Sequence, residues 1–171
     1  VDLADQLRVR GGEHEVVGRA ALVVVLNRGA QERTSWAPLS PAAALRVLAE
    51  NSLDLAHRPE AGLTALAHLV AGTPCVEVRY ASSKEAAGVV QALLRRPPIS
   101  ETPDVEMLEP LASAPGRIGV TWNPDTLTAM VGGRAVIFHV AERSVIELNE
   151  TASQVWLSLR LRRPSRAREQ A

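Results

Sequence analysis

The chain has 171 residues, enough for one domain with its own core or for two small ones that share an interface. Its composition, 46% hydrophobic and 22% charged with a formal net charge of zero, is that of an ordinary globular protein and excludes a global electrostatic pull toward nucleic acid or membrane. Its one cysteine, Cys75, excludes an intramolecular disulfide framework and fits a reducing compartment.

The longest apolar run, Ala20 to Leu26, is far below the ~20 residues that span a bilayer, and Val1 to Asp5 lack the charged and apolar regions of a signal peptide. The expectation is a cytoplasmic protein without a membrane partner. Because the first residue is not methionine, a segment processed or excised from something longer is also in view. Aromatics are scarce, so Trp36, Trp122, Phe138 and Trp156 are each expected to anchor a packing site.

In chain order, Val16 to Leu26 is an apolar, β-branched run between Gly12 and Gly29 that reads as one buried strand. Ser40 is a cap before the first-turn Pro41, and Leu45, Leu48, Ala49 and Leu53 then recur at helical spacing. A second helix follows Pro59, with Leu63, Leu66, Ala67 and Val70 on one face and Gly72 at its stop. Val76, Val78 and Tyr80 alternate with Glu77 and Arg79, the period of a half-exposed strand. Ser82 to Glu85 spells a capping box, and Ala86, Val89, Val90, Leu93 and Leu94 form the stripe of a third helix.

From Pro97 to Gly116 prolines are spread among acidic residues, which predicts an extended linker poor in core-formers. Beyond it, Ile118 to Trp122 and Leu127 to Val131 are expected to pair around the turn Asn123 to Thr126. Gly132-Gly133 is a two-residue hairpin signal into Arg134 to Val140. Ala141 to Ser144 turn the chain into Val145 to Leu148, and an amphipathic helix capped by Asn149 runs to Leu161 with Ala152, Val155, Trp156 and Leu159 on its packing face. The expected fold is α+β: an N-terminal strand and helix unit of unassigned role (1–96), a proline-rich acidic linker (97–116), a small antiparallel meander plus helix (117–163), and a basic tail (164–171).

The stretch Arg134 to Leu159, with Leu148-Asn149, Thr151-Ala152 and Trp156 where they fall, resembles the PqqD family of winged-helix-related RiPP recognition elements. The resemblance implies a peptide-binding chaperone that holds the leader of a ribosomally made precursor peptide for a modifying enzyme, with no cofactor. In that family the peptide adds itself as a strand beside the strand that precedes the first helix, which puts Val145, Ile146, Glu147 and Leu148 in the docking role here. Open sheet edges have unpaired backbone donors and acceptors, so strand addition is physically available to any short meander. Alternation puts Ile146 and Leu148 on one face, read as core, and Val145 and Glu147 on the other, read as ligand-facing. Arg160 and Arg163, with the rest of the arginine-rich tail, are expected to steer an acidic peptide toward this edge.

Family members continue into two more helices, whereas here Pro164 and the tail leave no room for them. Either the module is incomplete or a helix from Ser40 to Ala56, Pro59 to Ala71 or Ser82 to Arg96 stands in. The N-terminal unit would then complete the groove, dock the enzyme, or make a homodimer.

Two rival classes use different residues. A small enzyme would need Cys75 as nucleophile with His14, His57, His68 or His139 beside it as base. A winged-helix nucleic-acid-binding protein would need a basic recognition helix, and the helix after Ser82 offers only Lys84 and, at its end, Arg95 and Arg96. No metal signature occurs: the histidines are scattered and no cysteine pair exists.

Overall fold

A computed structural model describes residues 7–11, 14–18, 20–29, 33–52, 54–99, 102–110 and 123–161. The expectations for Ile118 to Trp122, for Arg163 and for the basic tail lie outside these residues. The described part is α+β, with a mixed sheet, an antiparallel sheet and four helices.

Among the described residues, a hairpin of β1 (Leu7–Gly11) and β2 (His14–Gly18) comes first. The mixed sheet follows, from β3 (Val23–Arg28), β4 (Ser35–Pro38) and β5 (Cys75–Tyr80). In it β5 is central, parallel to β3 and antiparallel to β4. The apolar run Val16 to Leu26 is thus split between two sheets rather than forming one strand. The reason is its partner: β5 has six residues and meets β3 only from Val23 to Arg28.

β4 carries Trp36, which is 45% exposed instead of anchoring a core. As an edge strand, β4 also tolerates Pro38, whose missing N–H would interrupt a central ladder. The alternation in β5 is real. Val76, Val78 and Tyr80 face α3 (Ser83–Arg95), while Cys75 points to the opposite side.

Between β4 and β5 come α1 (Pro41–Asn51) and α2 (Pro59–Gly72), joined through a 3-10 turn at Asp54–Ala56. Ser40 caps α1 as its sequence predicts, its Oγ accepting from the Ala43 amide at 3.2 Å. The capping box of α3 does not form. Ser82 is the N-cap residue but makes no side-chain bond, and the Glu85 carboxylate instead accepts from Thr34 Oγ1 at 2.7 Å. Leu94 of α3 is 52% exposed, off the buried stripe.

The antiparallel sheet contains β6 (Val105–Leu108), β7 (Thr126–Val131), β8 (Arg134–His139) and β9 (Ser144–Glu147), in that spatial order. β6 lies inside the stretch expected to be a linker. Four residues between prolines hold no strand signal of their own; pairing along β7, with the Gly132 amide donating to the Asp104 carbonyl at 3.0 Å, makes them one. Gly132 and Gly133 turn β7 into β8 with φ of +56° and +76°, both in the left-handed region that a tight hairpin turn of this hand requires. Finally, α4 (Glu150–Leu161) crosses the sheet and packs on β8.

One core joins the two sheets. Ala42, Leu45, Leu63, Ala67, Val70 and Cys75 pack together with Leu127, Ala129, Val131, Val136 and Phe138. Val105 and Met107 of β6 and Val145 of β9 close it from the sides. The packing places α1 and α2 between the sheets, with α1 against β7, β8 and β9 on one side and β3 and β5 on the other. Of the helices expected to complete the C-terminal module, α1 is the one that lies on β9.

Candidate functional site

The last strand, β9, is positioned by a turn from Val140 to Arg143 in which Arg143 takes a left-handed φ of 52°. Its register pairs Ile146 with Ile137 and Val145 with Phe138. The Leu148 amide donates to the Ala135 carbonyl at 2.8 Å. In an antiparallel ladder, hydrogen-bonded and non-bonded pairs alternate. Leu148, Ile146 and Ser144 therefore turn their backbone groups inward to β8, and Val145 and Glu147 turn theirs outward. β9 is at the border of the sheet, and among the described residues no strand pairs with that outer side.

The ladder stops where α4 begins. The Ala135 amide donates to Ser153 Oγ at 2.8 Å, and the fully buried Ser153 hydroxyl donates in turn to the Asn149 carbonyl at 2.8 Å. Asn149 caps the helix as its sequence position predicts, its Oδ1 accepting from the Ala152 amide at 2.8 Å. These bonds pin the start of α4 on β8 and keep β9 short.

The faces of β9 are the reverse of those expected. Val145 joins the core beneath α1, and Glu147 is only 14% exposed there. The Glu147 carboxylate meets Arg134 Nη1 at 2.6 Å and Arg46 Nε at 3.6 Å, and Arg46 Nη1 meets Glu50 at 2.7 Å. Glu50, Arg46, Glu147 and Arg134 thus form a chain of alternating charges. Ile146, on the α4 side, is 54% exposed, while Leu148 is half-buried. The cause is coverage: α1 and α2 roof one face of the sheet, whereas α4 lies mainly over β8 and leaves Ile146 uncovered. On α4 itself Val155 is 55% exposed, and the helix turns Ala152, Ser153, Trp156 and Leu159 inward instead.

Arg160 is not beside β9. Its guanidinium donates to the Glu109 carbonyl, next to β6, the strand farthest from β9 in the sheet. Arg46, Glu50 and Arg134 are the charged residues the sequence does not point to: Arg46, and Glu50 through it, reach Glu147 from the other half of the chain, and Arg134 reaches it from the adjacent strand β8. Only the Arg46–Glu50 spacing of one helical turn is visible locally. A cleft of about 240 Å³ adjoins the start of β9, lined by Ala49, Glu50, Asn51, Ser52, Phe138 and Arg143.

Cys75 is buried, and its Sγ donates to the Thr73 carbonyl at 3.2 Å. Burial pushes its thiol up to about 11, which disfavours the thiolate that nucleophilic chemistry requires. Among the described residues the bonding partners of Cys75 are backbone carbonyls, and His139 is instead bound to the Glu142 amide at 3.1 Å through Nδ1. No three His, Cys, Asp or Glu side chains of the described residues group as a metal would need, and none of their helices is long and apolar enough to cross a membrane.

Fold and site together define an α+β protein whose antiparallel sheet ends on a short strand with two outward-facing residues. No family model, curated protein or solved structure matches this chain.

Proposed function

We propose that this protein binds an extended peptide by strand addition along β9, and that the peptide is the leader of a ribosomally synthesised precursor held for a modifying enzyme. The observation that carries the reading is the outward backbone of Val145 and Glu147, whose amides and carbonyls have no ladder partner among the described residues. The resemblance of Arg134 to Leu159 to the PqqD family supplies the biological class. The position of α1 on β9 supports it too, since the family's groove needs a helix beside that strand.

Two residues offer two donors and two acceptors. At about 0.5–1.5 kcal/mol net for each bond, the ladder alone contributes roughly 2–6 kcal/mol, short of the roughly 8 kcal/mol of a micromolar complex. Side chains must therefore supply the rest. Steering by Arg160 has no support from its place beside β6, and the peptide's recruitment rests on the edge itself.

The test is fluorescence polarisation with a labelled candidate leader. Val145→Pro removes an outward amide and should weaken binding at least tenfold. A series of N-methylated peptides guards against misfolding of that variant. Sensitivity to N-methylation at every second ligand residue is the expected ladder signature; uniform tolerance would remove strand addition from consideration.

A further inference from the structure

Resting on the strand-addition reading, we infer that the ligand strand is selected through one aliphatic side chain seated beside Ile146, on the α4 side of the sheet. The two faces of β9 offer a ligand different chemistry. On the α1 side, Glu147 is already neutralised by Arg134 and Arg46, and Arg46 by Glu50, so these groups give an incoming charge nothing new to pair with. Val145 on that side is committed to the core.

On the other side Ile146 is 54% exposed in the middle of the edge, and Val155 of the helix lying on the same side is 55% exposed. Neighbouring residues on adjacent strands share a face. The ligand residue beside Ile146 therefore places its side chain over Ile146. Since Ile146 bonds inward to Ile137, an antiparallel ligand meets it as a non-hydrogen-bonded pair, the geometry in which opposed side chains come closest. An aliphatic residue there removes the exposed Ile146 surface from water. A charged one is desolvated without a partner. The occupant is thus an extended peptide with an aliphatic residue at one position, its neighbours on either side read by backbone alone.

The experiment is selection of a phage-displayed library of random 12-residue peptides on the full chain, repeated on Ile146→Glu, with the winners measured by fluorescence polarisation. Winners on the parent should share one aliphatic position, and alanine there should weaken binding about tenfold or more. Ile146→Glu should lose these peptides and select lysine or arginine at the same position. Ile146 is more than half exposed, so the variant is expected to fold, and a thermal melt checks this. Winners that show alternate-residue N-methyl sensitivity but bind Ile146→Glu unchanged overturn this inference and leave strand addition standing. Winners without that sensitivity, or no winners at all, overturn both.

Discussion

Ser153 shows how much one small side chain can decide. Its hydroxyl serves a sheet and a helix at once, accepting from Ala135 and donating to Asn149, and it is fully buried. Ser153→Ala strands the Ala135 amide without a partner, so a loss of about 1–3 kcal/mol is expected in urea denaturation. Cys75 is a second case, where burial alone determines chemistry. The folded thiol at about 11 stays neutral where the unfolded thiol, near 9.0, ionises. Its contribution to stability is therefore complete below pH 9 and is lost as pH rises toward 11. Cys75→Ala should flatten that alkaline decline in thermal melts, and the native protein should resist a thiol reagent at pH 8 until denaturant is added.

Among the elements, the β7–β8 hairpin is the one whose geometry leaves least freedom. Both turn glycines have positive φ, and a Cβ on Gly132 would also come within 3.3 Å of the Pro103 side chain. Gly133→Ala should cost about 1–2 kcal/mol, the penalty for a left-handed L-residue. Gly132→Ala should cost more, because Pro103 leads into β6 and must shift with it; paired equilibrium unfolding curves check the order. β9 illustrates a different limit. Its alternation is plain in the sequence, but which side is covered depends on α1, more than 90 residues earlier in the chain, so Val145 and Ile146 exchange their expected roles.

At the scale of the molecule, the core crosses the expected division. Leu45 of α1, fully buried, packs in the same cluster as Phe138 of β8. Leu45→Ala should cost about 2–5 kcal/mol and shift a single transition seen by every probe, rather than one of two. Residues 117–171 alone should show no cooperative unfolding in calorimetry, because that piece lacks β6 and the α1 and α2 cover of Leu127, Ala129 and Val136. Independent folding of that fragment would show that the shared core is dispensable.

What the sequence determines by itself here is local. The Ser40 and Asn149 caps, the α2 start at Pro59, the Gly132-Gly133 turn and the alternation of β5 and β9 each follow from contacts within a few residues. The tertiary structure alone decides what depends on distant partners. It splits Val16 to Leu26 between two sheets, makes strands of Ser35–Pro38 and Val105–Leu108, and directs Glu85 to Thr34. It also chooses which face of β9 meets solvent, because burial is a property of what packs against a strand and not of the strand's own pattern.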